Sequence, residues 1–186
     1  DLGPDQRATI TVPVTEGRHN AFDGIIGYLP PPSSGTSGTI TGLVHLQFRN
    51  LLGTARRLSV RWFQERQGTQ EIDLAYREPW VLNSPVAAGL EFHQRKQDSL
   101  YVRQSYGIDV RGEAAEDMII GASYLRLSTT PQAGYGARVL NGSDQSLVGL
   151  SFSYDTRDDA VTPRSGSVYS TEYHTGRKSI GGIGGS

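Results

Sequence analysis

The sequence predicts an all-β fold: an antiparallel transmembrane β-barrel, with eight strands the first choice and ten the next. Three observations predict it. Apolar residues recur with a period of two, which a pleated strand needs and a helix cannot use. Leu58, Val60 and Trp62 fall on one phase, and Arg57, Ser59 and Arg61 on the other. After Gln67-Gly68-Thr69, Ile72, Leu74 and Tyr76 oppose Glu71, Asp73, Ala75 and Arg77. The second observation is the repeated full charge on one phase, which requires one side of the sheet to be wet. The third is that such segments follow one another along the chain with no helical periodicity of convincing length. A meander of this kind ends as a two-sheet sandwich or a closed barrel. Large apolar residues on one phase, with Arg, Glu, Asp, Gly and Ser on the other, favour the barrel over the sandwich.

Composition narrows the classes. The chain has 186 residues, which suits one domain or one sheet system. Hydrophobic residues make up 36% and the mean hydropathy is -0.41, values that describe a soluble chain and a polar-lumen barrel equally well. No apolar run approaches the roughly 18 residues of a spanning helix. With no cysteine, disulfides, thiol chemistry and thiolate metal sites are excluded. A net charge of -1 gives no field that favours nucleic acid.

Taken in order, residues 1–20 form an N-terminal segment in which Ala8–Thr15 is a possible extra strand interrupted by Pro13. Phe22–Leu29 reads as a strand, and Pro30-Pro31-Pro32 with the Ser/Gly/Thr run to Gly38 as a loop. Ile40, Gly42, Val44, Leu46 and Phe48 alternate next, ahead of a turn at residues 50–53. The hairpin of residues 58–76 leads into a connection at residues 80–85. Val86–His93 and Val102–Arg111 alternate, although Gln104 falls on the apolar phase. Met118–Leu127 is ambiguous in phase, because Arg126 sits where the Ile120–Ala122–Tyr124 face would continue. Residues 129–144 read as a polar loop, Val148–Asp155 as the cleanest late strand, and Ser167–Tyr173 as the last. The barrel is thus expected over residues 21–176, with a flexible tail at 177–186. In lipid an open edge leaves backbone groups unpaired, so the sheet should close, with an even count and the weakest end segments outside the ladder.

No catalytic, cofactor or metal residue is expected. Arg77 and Glu78 adjoin Pro79 at a strand exit, where a charged turn is the ordinary explanation. Arg61, Glu71, Asp73, Glu91, Arg103, Asp109 and Arg111 are expected to fill the wet side with cross-strand ion pairs. Asp155, Arg157, Asp158 and Asp159 resemble a hard-ion site but lack calcium-loop spacing. His19, His45, His93 and His174 show no metal spacing, and Ser153 sits in no nucleophile motif. Trp62, Trp80, Tyr101, Tyr124, Phe152 and Tyr154 suit either interfacial belts or packing.

Asn50-Leu51-Leu52-Gly53-Thr54-Ala55-Arg56-Arg57-Leu58, Tyr76-Arg77-Glu78-Pro79-Trp80 with Pro85 and Gly89, and Ser153-Tyr154-Asp155-Thr156-Arg157-Asp158 with Pro163-Arg164-Ser165-Gly166 stand in that order. They resemble three marked segments of the Omp85 surface-antigen barrels, with weaker likeness at Gly27-Tyr28 and Glu16-Gly17-Arg18. The resemblance implies an outer-membrane barrel akin to the machines that insert or translocate proteins, usually sixteen strands behind soluble periplasmic repeats. The chain departs from that pattern. It is about half such a barrel's length, shows no Val-Arg-Gly-Phe motif, and carries Ala55 where glycine is common.

The resulting expectation is a compact, short or truncated outer-membrane barrel without the full insertase machinery and without enzymatic activity. Its partners would be outer-membrane lipids and, through the resemblance, envelope assembly factors or unfolded outer-membrane proteins, with a monomer favoured over an oligomer. The alternatives are a membrane scaffold or small pore, a lipid-acting barrel enzyme, and a soluble β-sandwich binding module. In the barrel, Leu58, Val60, Trp62, Ile72, Leu74, Tyr76, Leu90, Phe92, Leu150 and Phe152 would face lipid, with Arg61, Asp73, Glu91, Arg103, Asp109 and Ser151 inward.

Overall fold

Alternation becomes strand throughout the part of the chain that a computed structural model describes, residues 20–31, 33, 35 and 37–181. The strands are β1 (Asn20–Leu29), β2 (Thr39–Leu51), β3 (Arg56–Arg66), β4 (Thr69–Glu78), β5 (Val86–Gln97), β6 (Tyr101–Ala115), β7 (Met118–Pro131), β8 (Ser143–Asp155) and β9 (Val168–Ile180). Each pairs antiparallel with its sequence neighbour, in the order β1 to β9, to give one nine-stranded sheet. The possible strand at Ala8–Thr15, the Glu16–Arg18 likeness and His19 lie outside the described residues.

Turn chemistry explains the joints. Gly68, at φ +82°, closes the β3–β4 hairpin in a conformation that costs other residues strain. Its carbonyl accepts the Asp98 N–H at 2.9 Å, tying this hairpin to the β5–β6 turn. A short 3-10 turn, Val81–Asn83, occupies the β4–β5 connection, and a five-residue helix α1, Tyr135–Val139, lies in the expected 129–144 loop. Neither has a periodicity long enough to be read in advance.

The register sorts the side chains into two faces, because residues opposite each other across an antiparallel pair point the same way. One row runs Leu46–Val60–Leu74–Phe92–Tyr106 from β2 to β6. Leu58, Trp62, Ile72, Tyr76, Leu90, Leu150 and Phe152 share that face. The opposite face carries the row His45–Arg61–Asp73–His93–Ser105, together with Glu91, Arg103, Asp109 and Ser151. The two expected sets therefore do lie on opposite faces.

Closure is where the expectation fails. Among the described residues β1 pairs with β2 alone and β9 with β8 alone, so their sheet is open rather than a barrel. Both terminal strands belong fully to the ladder: β1 pairs over Asn20–Leu29 and β9 over Val168–Ile180. That overturns the eight-strand count, which had left weak end segments outside. The nine described strands also send β1 and β9 in the same direction, so those two strands cannot meet as the antiparallel pair that closes an even-stranded barrel. The last strand continues through Ile180, past the expected start of the tail.

The transmembrane reading falls with closure. Two open edges leave rows of backbone donors and acceptors that lipid cannot satisfy. No described helix is long and apolar enough to cross a membrane, a statement that concerns helices and not strands. Placement in the outer membrane as a compact barrel is corrected accordingly, and with it the orientation of the apolar face toward lipid.

What remains is a single layer. Among the described residues no hydrophobic side chain is buried. Leu74, Leu90, Ile108 and Leu150 are 39%, 50%, 49% and 58% exposed, all on the apolar face. A sheet is ordinarily stable when an apolar face is packed against a second layer. Here the strand ladders and cross-strand side-chain pairs hold the sheet, while no described residue covers its apolar face.

Candidate functional site

Chemistry concentrates on the polar face. Arg61 on β3 donates from Nη1 to Asp73 Oδ2 at 2.8 Å and to Glu71 Oε2 at 3.4 Å, both on β4. Glu71 also meets Arg95 of β5, with Nη1–Oε1 at 3.0 Å. Asp73 completes a chain by bonding His93 Nδ1. Desolvation works to raise the Asp73 pKa, but the bonds from His93 and Arg61 outweigh it and hold the carboxyl below its ordinary value. Alternation makes this network possible: strands β3, β4 and β5 place Arg61, Asp73 and His93 directly opposite one another.

A second pair spans an intervening strand. Arg77 of β4 donates to Asp109 of β6 through Nη1 at 3.2 Å and Nη2 at 3.1 Å. Between them stands Gly89 of β5, where a Cβ would overlap the Asp109 carboxylate and crowd the guanidinium. Arg111 approaches the same carboxylate at 3.7 Å. Of the residues expected to form cross-strand pairs, Arg61, Glu71, Asp73 and Asp109 do so, whereas Arg111 meets Asp109 on its own strand, β6. Arg103 instead lies over the Tyr101 ring at 5.3 Å. Glu91 makes no ion pair among the described residues.

Among the described residues, the serine, histidine and acid side chains that a lipid-acting enzyme would use do not meet as a nucleophile–base–acid set. His45 Nε2 and Ser59 Oγ are 3.3 Å apart, but the nearby acid, Asp73, is engaged by Arg61 and His93. Ser153 pairs in register with Ile119 and Ser170 and meets no histidine in the ladder. His174 lies beside Glu172 at 3.5 Å, apart from His45 and His93. Among the described residues no three His, Cys, Asp or Glu groups gather to hold a metal ion.

The acidic run after β8 organises a loop. Arg157 grips Asp155 with two bonds, Nε–Oδ1 at 2.8 Å and Nη2–Oδ2 at 2.7 Å. The Arg157 side-chain and backbone bonds pull the Asp155 pKa down to about 2. Asp158 accepts the N–H groups of Arg164 and Ser165 at 2.9 and 3.1 Å. Asp159 accepts those of Val161 and Thr162, both at 2.7 Å. These carboxylates are turned to backbone and to Arg157. At the β4 exit, Glu78 takes the Tyr76 hydroxyl at 2.8 Å and Arg56 Nε at 2.6 Å, the structural role expected of it.

Two grooves flank these clusters. One, about 650 Å³, is lined on its polar side by Gln47, Arg49, Arg57, Ser59, Arg77 and Glu91. The other, about 450 Å³, lies among Leu58, Leu74, Leu90, Phe92, Tyr106 and Ile108 of the apolar face. The aromatic residues do not form one belt: Trp62, Tyr124, Phe152 and Tyr154 share the apolar face, Tyr101 the polar one, and Trp80 stands in the β4–β5 connection. Sequence reasoning missed the Arg77–Asp109 and Asp73–His93 pairs, which only the register brings together.

Comparison with known proteins matches residues 50–186 to a family model described as the Omp85 superfamily domain. That span takes in β3 to β9, and with them all three segments that carried the resemblance. No curated protein and no solved structure matches the chain.

Proposed function

The chain belongs to the Omp85 superfamily, and from that premise we propose that it is a non-catalytic polypeptide-binding module. It takes an extended chain by strand addition at a free edge of the sheet, and the apolar face offers side-chain pockets to whatever that strand brings. The carrying observation is the pair of edges left without a partner strand among the described residues: every residue of β1 and of β9 is exposed. A long exposed edge presents a template of backbone donors and acceptors, and adding a strand supplies affinity through the main chain and specificity through alternate side chains. Exposed apolar side chains at the edges support the second part of the reading: Phe22, Ile26 and Tyr28 of β1 and Tyr169 and Tyr173 of β9 stand on the apolar face. The engagement of Asp73 by Arg61 and His93 supports the non-catalytic part.

Photocrosslinking tests it. A photoreactive residue replaces Glu172 on edge strand β9 or Ser105 on interior strand β6, and the protein is offered an alternating Val/Thr peptide or an alanine-rich helical peptide. Strand addition predicts cross-links from position 172 to the β-forming peptide only. Equal labelling from position 105, or equal capture of the helical peptide, would remove the proposal.

A further inference from the structure

On the polar face, three arginines stand in one cross-strand row. Arg49 of β2 is opposite Arg57 of β3, and Arg57 is opposite Arg77 of β4. Like charges directly opposite on neighbouring strands repel. Only Arg77 finds a carboxylate, by reaching over Gly89 to Asp109. Arg49 donates to the neutral Gln47 Oε1 at 3.1 Å. The Arg57 side chain makes no hydrogen bond or ion pair among the described residues. Both are exposed and both open onto the groove of about 650 Å³. A register shift between Arg49 and Leu51 sets a bulge beside them, a device that re-aims side chains at a strand end.

We propose that this groove is an oxyanion-binding site in which Arg49 and Arg57 together grip a phosphate or carboxylate group. Guanidinium forks bind such groups through paired, charge-assisted hydrogen bonds. The local charge has the required sign: Arg49, Arg57 and Arg77 give three positive charges against Glu91 and Asp109, leaving an excess of one. The Ser59 hydroxyl lines the same groove and adds a neutral donor. Glu91, exposed on the far wall, repels a second anionic group and so directs the ligand's charge to the Arg49–Arg57 end. The site stands independently of the strand-addition proposal, because it uses neither the sheet edges nor the apolar face.

Isothermal titration of the whole chain with inorganic phosphate, acetate and chloride at matched ionic strength tests the site. Saturable binding of phosphate or acetate, and none of chloride, is expected; phosphate alone identifies a phosphoryl ligand, and both identify a general oxyanion. Arg57→Gln and Arg49→Gln should each weaken binding about tenfold or more, the loss of hydrogen bonds to a charged group. Arg103→Gln, outside the groove, should leave it unchanged. In anion-free buffer Arg57→Gln should also raise the thermal midpoint by relieving repulsion. Chloride binding equal to phosphate, no saturable binding, equal loss in Arg103→Gln, or a lowered midpoint in Arg57→Gln would each overturn the assignment.

Discussion

Arg77 and Asp109 are bonded across a strand that separates them, with Gly89 between their side chains. Their contact exists because the middle residue has no Cβ. Gly89→Ala should therefore break the pair and lower stability by about 1 kcal/mol, the scale of a partly exposed ion pair. Asp109→Asn in the Gly89→Ala background should cost little more. Urea unfolding of the double-mutant cycle measures this, and fully additive losses would show that the pair contributes nothing.

Phe92 and Tyr106 face each other in register on the apolar face, ring centroids 5.0 Å apart and tilted by 44°. Phe92→Leu and Tyr106→Leu should show a coupling of about 0.5–1.5 kcal/mol. Tyr106→Phe should be near neutral, since the hydroxyl makes no hydrogen bond among the described residues. A coupling near zero would mean that the rings stack without stabilising the sheet.

Asp155 has its pKa drawn from 3.8 to about 2 by Arg157. A carboxyl lowered on folding stabilises above its unfolded pKa, and that contribution fades as pH falls through the folded one. The loop over residues 156–167 should thus loosen between about pH 4 and pH 2. A ¹³C titration of the Asp155 carboxyl should give a midpoint of about 2, moving toward 3.8 in Arg157→Gln. Identical midpoints in the two proteins would remove the ion pair as the cause.

Strand positions and phases were legible in the sequence because one face is apolar and one charged from β2 to β8. The two interruptions, Gln104 and Arg126, needed the register to make sense. Gln104 stands opposite Gln94 and donates to its Oε1 at 2.7 Å, and Arg126 reaches Asp144 at 3.5 Å. Both sit near the same end of the sheet, where Ser128, Ser146 and Ser179 continue a polar margin on an otherwise apolar face. Closure was not legible. Alternation states which side of a strand is apolar, but not what covers that side or whether the first and last strands meet. The Arg77–Asp109 and Asp73–His93 contacts were hidden for a related reason: each joins residues whose neighbourhood exists only once the strands are aligned.

The open sheet is the claim on which the corrected account stands, and spin labels read it directly. The chain has no cysteine, so introduced pairs label cleanly. Nitroxides at Ser151→Cys and Glu172→Cys, register partners on β8 and β9, provide a neighbour standard, since adjacent strands lie about 5 Å apart. Ile25→Cys on β1 is then paired in turn with Glu172→Cys, His174→Cys and Gly176→Cys on β9. An open sheet predicts strong short-range dipolar broadening for the standard and none for any β1–β9 pair. A single β1–β9 pair broadened as strongly as the standard would mean that the edges meet and the sheet is closed.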